Sequence, residues 1–265
     1  MLRSMYSGIS GLKGFQTKLD VVGNNIANVN TSGFKKGRIT FQDMMSQTTR
    51  GAQAAVAGGR GGINPMQVGL GSKVGSIDNI HTQGFTQTTG SSLDVAIEGN
   101  GMFVVTDGTT NYYTRAGNFY FDDNGDIVNA DGLYLVDHDG NHPINLPDDF
   151  QSFSIAENGD VNYVDAAGDP QTAGTIGLAN FSNPTGLEKI GNNLFLDSAN
   201  AGFTGIGTPE TEGLGKTVAG SLEMSNVDLS EEFTEMIVAQ RGFQANTRII
   251  TTSDEILQEL VNLKR

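Results

Sequence analysis

Residues 228–265 read DLSEEFTEMIVAQRGFQANTRIITTSDEILQELVNLKR, and large apolar side chains recur in this stretch at every seventh position. Because seven residues make nearly two helical turns, the repeat predicts one long helix with an apolar seam. Asp228 and Glu231 have capping-box spacing, and Lys264 and Arg265 suit the far end of the helix dipole. We expect about 35 helical residues, roughly 50 Å in length. The seam consists of Leu229, Met236, Phe243, Ile250 and Leu257, with Phe233 and Val261 on the adjoining seam.

The first 33 residues carry a similar helical pattern that is weakened by glycine. Four glycines lie inside it, and each costs about 1 kcal/mol relative to alanine in a helix interior. Ser4, Gly8 and Gly11 form a stripe of small residues that lets a second backbone approach closely. We therefore expect a helix that depends on packing and ends near Gly33 in a left-handed cap. Its apolar positions are Met5, Leu12, Leu19 and Ile26 on one seam, with a second seam of Leu2 and Ile9 that is continued in part by Phe15, Val22 and Val29.

A cluster of asparagines marks the exit of this first helix, where residues 24–36 read NNIANVNTSGFKK. Asparagine is a mediocre helix former because its amide competes for backbone hydrogen bonds. We interpret the cluster as polar contacts that face neighbouring copies of the protein and not a substrate. The side chains concerned are Asn24, Asn25, Asn28 and Asn30.

The middle of the chain is predicted to be β structure. Short apolar runs such as GMFVV, NFYF and LYLV alternate with turn dipeptides, which favours a sandwich or a barrel. We expect two-residue hairpin turns at these dipeptides because such turns require positive φ. Residues 50–70 are rich in glycine and alanine and are interpreted as a flexible or extended connection. The turn dipeptides are Asp107–Gly108, Asn124–Gly125, Asp131–Gly132, Asp139–Gly140 and Asn158–Gly159.

Charge and composition argue against several kinds of partner and binding site. The net charge of −14 is concentrated in residues 51–227, which hold 5 basic and 21 acidic groups. Such an acidic block argues against nucleic acid or an anionic membrane as its partner. The chain has no cysteine, so disulfides and thiolate metal sites are excluded. It also shows neither a membrane-spanning apolar run nor a cleavable secretory signal, so we expect no membrane insertion.

Several motifs contain residues that could bind a metal or catalyse a reaction, but solvated turns explain each of them more simply. DDNGD at 122–126 and DHDGN at 137–141 offer oxygen ligands for calcium but lack the pattern of an EF-hand. His138 and His142 are four residues apart, which suits zinc on a helix, yet they fall in a predicted turn. Carboxylate pairs such as Asp148 and Asp149 give no evidence of glycosidase geometry. We therefore expect no enzyme activity, catalytic residue, metal site or cofactor.

Long motifs at both ends and in the middle resemble the flagellar rod and hook family of bacterial axial proteins. They are SGISGLKGFQTKLDVVGNNIANVNTSGFKK, LDVAIEGNGMFVV, YTRAGNFYFDDNGDIVNADGLYLV and the closing stretch from residue 226 to residue 265. The resemblance spans nearly the whole chain and is weakest across residues 50–70 and 195–220. It implies an α+β protein with long terminal helices paired as a coiled-coil inner domain and a central all-β outer domain.

The resemblance also implies assembly into a tube. The expected division is 1–33 and 228–265 for the inner helices, 34–76 and 213–227 for connectors, and 77–212 for the β domain. The two helical seams and the four asparagines would form the self-assembly interface. The expected partners are further copies in a helical homopolymer, adjoining rod and hook–filament junction proteins, the hook cap and the flagellar type III export apparatus. The expected location is the bacterial flagellum, extracellular after export without a cleaved signal.

The sequence indicates less directly which member of the family the chain resembles most. By its length the chain resembles a distal rod protein, whereas its two ends resemble the short hook proteins of Bacillus-type bacteria. We predict a hook subunit, a bendable joint that transmits motor torque, with the stiff distal rod as the alternative. A secreted adhesin or binding module, or a carbohydrate-active enzyme, would instead be a monomer with ordered ends.

Overall fold

The structure, a computed structural model, describes residues 2–54, 61–147, 149–211 and 213–263. It begins with helix α1 (Leu2–Ala27) and ends with helix α2 (Leu229–Asn262), which pack together, and strands fill the sequence between them. The predicted α+β class is confirmed. The chain divides into a helical unit, made of Met1–Ala27, Gly37–Asp78 and Asp228–Arg265, and a β unit, made of Asn28–Lys36 and Asn79–Val227.

Helix α2 begins where its sequence predicts. Asp228 is the N-cap, and its side-chain oxygen accepts hydrogen bonds from the backbone N–H groups of Ser230 at 2.8 Å and Glu231 at 3.5 Å. These bonds satisfy donors that an uncapped helix leaves unpaired. The expected contribution of Lys264 and Arg265 falls outside the described residues. No helix among the described residues is both long and apolar enough to cross a membrane.

Helix α1 ends at Ala27, six residues before the predicted end at Gly33, so that prediction is corrected. The chain turns directly after the helix, where the N–H of Thr31 donates to the carbonyl of Asn28 at 3.2 Å. Gly33 does have positive φ, at 70°, but in a later turn. It approaches the backbone of Ala116 so closely that a Cβ has no room, and its N–H donates to the carbonyl of Glu223. Close packing within the β unit, and not helix capping, therefore requires this glycine.

In the described part of the helical unit, four strands lie between the helices. They are β1 (Gly37–Asp43), β2 (Ser46–Arg50), β3 (Met66–Gly69) and β4 (Ser72–Asn79). Strand β1 pairs with β4, β2 pairs antiparallel with β3, and a further bridge joins Gln53 and Ile63. The described parts of the predicted flexible or extended connection are thus paired at Arg50, at the Gln53–Ile63 bridge and along β3, and its residues 55–60 lie outside the described residues.

The other sixteen strands among the described residues belong to the β unit. The largest sheet has nine strands in the order β16-β17-β8-β7-β11-β10-β9, with β15 paired to β7 and β18 paired to β15. Smaller sheets join β12-β13-β14, β19-β6 and β20-β5, and the strands in each of them are antiparallel. A 3₁₀ turn covers Pro184–Gly186. The strands are β5 (Thr86–Thr88), β6 (Val95–Glu98), β7 (Met102–Thr106), β8 (Asn111–Thr114), β9 (Phe119–Phe121), β10 (Ile127–Asn129), β11 (Tyr134–Leu135), β12 (Ser152–Ile155), β13 (Asp160–Val164), β14 (Pro170–Thr175), β15 (Leu178–Phe181), β16 (Glu188–Gly191), β17 (Leu194–Leu196), β18 (Phe203–Gly207), β19 (Lys216–Ala219) and β20 (Ser221–Glu223).

Strand β7 lies at the centre of the β unit because all five of its residues are buried. Phe103 and Val105 point into one apolar cluster, and Met102 and Val104 point into a second. A strand that is buried on both faces has apolar residues at consecutive positions, which explains the run GMFVV in the sequence. Large side chains from β10, β11, β15 and β17 complete the two clusters.

The turns between strands differ in length from the prediction. Each glycine of the five predicted dipeptides has positive φ, as expected. In four of these turns, however, the glycine N–H bonds to the carbonyl three residues earlier and the loop closes across three residues, as in the turn from Asp122 to Asp126. Only the glycine then needs positive φ. The two-residue turn with both residues at positive φ lies at Asn192 and Asn193, between β16 and β17.

Candidate self-assembly surface

Glycines bring α1 and α2 close together in the helical unit. A Cβ at Gly8 would lie 3.4 Å from Cγ1 of Ile250, and one at Gly11 would lie 2.8 Å from Nδ2 of Asn246. Because residue numbers rise along α1 as they fall along α2, the helices are antiparallel. The small-residue stripe of α1 therefore allows the close approach of a helix from its own chain.

The pairing continues toward the start of α2. A Cβ at Gly242 would lie 2.5 Å from the ring of Phe15, so only glycine fits against that ring. Further along, the Lys18 ammonium forms an ion pair with the Glu235 carboxylate. Thus a large side chain of α1 meets a glycine of α2, and the reverse holds at Gly8, so the two surfaces interlock.

The face that α2 buries is made of small and polar residues. Its buried residues are Glu232, Ala239 and Ser253, at multiples of seven residues, and half-buried Asn246 completes the same line. This repeat was missed in the sequence because the larger apolar residues beside it dominate the pattern. It nevertheless has the same period as the apolar seam, so a search for small residues at seven-residue spacing would find it.

Most large apolar side chains of α2 are exposed. On the predicted seams, Met236, Ile250 and Leu257 are half-buried, whereas Leu229, Phe233, Phe243 and Val261 are exposed. So many exposed large apolar side chains on one helix are unusual for a monomer and are typical of an interaction surface. We call it the α2 apolar surface, defined by Leu229, Phe233, Ile237, Val238, Phe243, Ile249, Ile256, Leu260, Val261 and Leu263.

The predicted residues of α1 are more covered than those of α2. Met5, Leu12, Leu19 and Ile26 are half-buried, whereas Ile9 is exposed. Among the described side chains of this helix, Val22 is the buried large apolar residue, and it lies on the partial continuation of the second seam. The two helices therefore contribute unequally, and α2 carries the larger exposed apolar area.

The asparagine cluster separates into different environments. Asn25 is 1% exposed, and its amide exchanges two hydrogen bonds with the backbone of Gly37, each 2.9 Å long. Its Nδ2 also donates to Oε2 of Glu232 on α2 at 3.1 Å. Asn28 accepts a hydrogen bond from the hydroxyl of Thr31. Asn24 and Asn30 are exposed. Asn25 thus joins α1, β1 and α2 within one chain.

A buried ion cluster joins three segments of the β unit that are far apart in the sequence. Oε1 of Glu223 accepts from Nζ of Lys35 at 2.5 Å, and Oε2 accepts from Nη1 of Arg115 at 3.0 Å. All three side chains are at least nine-tenths buried. Burial lowers the pKa of Lys35 and of Arg115, and the Glu223 carboxylate opposes that shift. We call Lys35, Arg115 and Glu223 the ion cluster.

His81 lies close to the ion cluster and is held neutral. Burial, followed by the positive charges of Lys35, Arg115 and Lys189, lowers its pKa from 6.5 to about 4. Its ring contacts Phe195 at a centroid distance of 5.4 Å. The sequence pattern does not identify the ion cluster or His81, because the residues that meet there are separated by dozens of residues in the chain.

The acidic turns are occupied by hydrogen bonds within the chain. Oδ1 of Asp137 accepts from the N–H groups of His138 and Thr175, and Oδ1 of Asp126 accepts from Nδ2 of Asn145. Among the described residues, one group, Asp137, His138 and Asp139, brings three possible ligand atoms within 4.8 Å of one another. His142 is not part of that group. Turn stability accounts for these acidic residues without an ion.

The chain is similar to known flagellar proteins of bacteria. Three family models match the chain: "Flagella basal body rod protein" over residues 5–35, "Flagellar hook protein FlgE/F/G D1 domain" over 96–163, and "Flagellar basal body rod FlgEFG protein C-terminal" over 218–263. The chain is 58% identical to the flagellar basal-body rod protein FlgG of Bacillus subtilis over the full length of both. It is 40% identical to that of Caulobacter vibrioides, over 99% of this chain and all of the relative. It is also 33% identical to the flagellar hook protein FlgE of Borreliella burgdorferi, over the full length of both.

Proposed function

Since the chain belongs to the flagellar rod and hook family, whose members are structural proteins and not enzymes, we propose that it is a self-assembling subunit of the distal rod. The observation that carries this proposal is the α2 apolar surface. A helix with this much exposed apolar area gains free energy when further copies cover it. In the polymer the two helices form the inner domain, and the predicted β domain of residues 77–212 lies outside it.

The rod replaces the hook as the preferred function. The sequence alone led us to predict a hook subunit, with the distal rod as the alternative. The relatives that match this chain at its own length are named rod proteins, at 58%, 39% and 40% identity. The alignment with the hook relative extends over 442 positions, far more than the 265 residues of this chain. Similar length and higher identity both support the rod.

The mechanical role follows from the polymer. Subunits stacked along an axis transmit torque through their inner helices, and a rod needs contacts that do not slide. The partners of this proposal are further copies of the chain, the adjoining rod and hook proteins and the flagellar type III export apparatus. Further proposed partners are junction proteins and a cap at the growing end. No cofactor is required, and the location is the flagellar basal body after export.

Electron microscopy of the full-length chain, concentrated until it polymerises, tests this proposal. We expect straight, rigid tubes from the wild-type chain. Ile237→Gln should abolish or strongly reduce them because Ile237, on the α2 apolar surface, is 53% exposed in the subunit. Ile190→Gln is the matched control, since Ile190 on β16 has the same side chain and is also 53% exposed.

Each outcome has a definite meaning. Straight tubes from the wild-type chain and from Ile190→Gln, but not from Ile237→Gln, support a rod assembled through α2. Curved tubes would return the hook to first place. A wild-type chain that stays monomeric at every concentration would overturn self-assembly.

A further inference from the structure

An apolar groove runs along α1 in the helical unit. It has a volume of about 590 Å³ and lies between α1, the residues after β1, and the start of β4. Tyr6, Ile9, Met44 and Val74 supply its apolar lining, and Tyr6 is 67% exposed. An exposed tyrosine in an apolar groove is typical of a surface that a partner covers. We call this the α1 groove.

The rim of the α1 groove is positively charged. Arg3, Lys13 and Lys73 line it, and none of the described residues that line it is acidic. Lys13 and Lys73 are both exposed. A partner therefore needs apolar side chains with carboxylates beside them, because an unbalanced cationic rim disfavours a neutral or basic occupant.

The groove lies on a different face of α1 from the one that packs on α2. The residues of α1 that line it, such as Ser10 and Thr17, follow helical spacing. The residues that contact α2, Gly8, Gly11 and Phe15, also follow helical spacing but are offset by about half a turn. The α2 helix of the same chain therefore does not occupy the groove.

The last turns of α2 have the chemistry that the groove requires. Ile256, Leu260 and Leu263 are exposed and follow one another at spacings of four and three residues, so they share one face of the helix. Glu255 and Glu259 are exposed beside that face, each one residue before an apolar member. We call this apolar face with its two carboxylates the α2 terminal stripe.

We propose that the α2 terminal stripe of one copy occupies the α1 groove of the next copy. The proposal rests on the proposed function, because it names the contact through which the subunits polymerise. Two different surfaces of one chain form this contact, so it is head-to-tail. Such a contact does not close into a dimer by itself and can propagate into an open helical filament. Apolar side chains fill the groove, and the two glutamates face its lysines.

Charge exchange in the full-length chain tests the contact. In the groove variant, Lys13→Glu with Lys73→Glu, an acidic groove meets an acidic stripe. In the stripe variant, Glu255→Lys with Glu259→Lys, a basic groove meets a basic stripe. All four residues are exposed, so both variants should fold like the wild type. We expect each variant alone to need a concentration at least about tenfold higher to polymerise, because like charges are then opposed.

An equimolar mixture of the two variants is the decisive measurement. The acidic groove of one variant suits the basic stripe of the other, and the remaining groove and stripe keep their native charges. The mixture should therefore polymerise near the wild-type concentration as an alternating copolymer. Sedimentation after concentration with polyethylene glycol at low ionic strength measures this, because salt screens the charges.

The results separate this contact from self-assembly in general. Rescue in the mixture supports the proposed contact. If the wild-type chain polymerises but the variants are unaffected, or the mixture polymerises no better than either variant, the contact is wrong while the proposed function stands. If the wild-type chain never polymerises, the proposed function fails and this contact fails with it.

Discussion

The β unit and the helical unit differ in where they place their apolar side chains. The β unit buries them in two clusters around β7, and it pairs the charges that it buries in the ion cluster. In α2 of the helical unit, the buried residues are Glu232, Ala239 and Ser253, whereas nine large apolar residues of the helix and Leu263 at its C-cap stay exposed. The β unit therefore has a core of its own, whereas we propose that other copies complete the helical unit.

The largest effect is expected at the ion cluster of the β unit. Glu223→Gln keeps the shape of the side chain but leaves Lys35 and Arg115 buried without a carboxylate. Breaking a buried ion pair from one side costs about 3–5 kcal/mol. Denaturant unfolding of the β unit measures the loss.

Glu188→Gln is the control for this substitution, since Glu188 is exposed on β16 and should change stability by less than about 0.5 kcal/mol. Equal effects of the two substitutions would mean that the buried cluster contributes nothing particular to the stability of the β unit.

The pH dependence of the β unit should be the next largest effect. The pKa of His81 is about 4 in the folded chain, below its ordinary value of 6.5. Between these values the unfolded chain binds the proton more readily, so the contribution of neutral His81 is complete above pH 6.5 and is lost as the pH falls toward 4. The loss amounts to up to about 3 kcal/mol.

Thermal unfolding at pH 4, 5, 6 and 7 checks this contribution. His81→Phe should remove part of the pH dependence, whereas His142→Phe, at an exposed histidine, should leave it unchanged. Identical pH profiles for the wild type and His81→Phe would contradict the assignment.

A pair of glycine substitutions sharpens the comparison inside the helical unit. Gly242→Ala places a Cβ 2.5 Å from the Phe15 ring and should cost about 1–3 kcal/mol by overpacking. Gly23→Ala meets nothing within 4 Å and should instead stabilise α1 by up to about 1 kcal/mol. The midpoint of denaturant unfolding, followed by the helical circular dichroism signal, reports both changes. Effects of the same sign would mean that the Gly242–Phe15 contact does not hold the helices together.

The smallest effect is expected on the α2 apolar surface in the monomer. Leu260→Gln should change the stability of the isolated subunit by less than about 0.5 kcal/mol, because Leu260 is 50% exposed there. The same substitution should raise the concentration needed for polymerisation. Differential scanning calorimetry of the dilute chain and sedimentation of the concentrated chain measure the two effects. A large loss of stability in the dilute monomer would show that the subunit itself covers Leu260.

Much of the fold was predictable from local patterns. The N-cap at Asp228 and the positive φ of the turn glycines follow from rules that involve a few neighbouring residues. The end of α1 was not predictable in that way. The glycine expected to cap the helix, Gly33, is fixed by contacts with Ala116 and Glu223, which are far away in the sequence.

The candidate self-assembly surface could also be predicted only in part, because contacts between residues far apart in the sequence decide which side chains are covered. A seven-residue repeat identifies an apolar seam but does not say whether its own chain or another copy covers it. The seam residues of α2 therefore stand as a proposed interface, and so do Asn24 and Asn30. Asn25 was expected to serve the same surface, yet its amide is bonded to Gly37 and Glu232 of its own chain.

Hydrogen exchange of the full-length chain, as a dilute monomer and as a polymer, shows directly whether other copies cover α2. We expect amides of α2 to exchange rapidly in the monomer and to become protected in the polymer. Amides of β7 and its neighbouring strands should be protected in both states, because the β unit has its own core. Equal, strong protection of α2 in the monomer and the polymer would contradict the claim that other copies complete the helical unit.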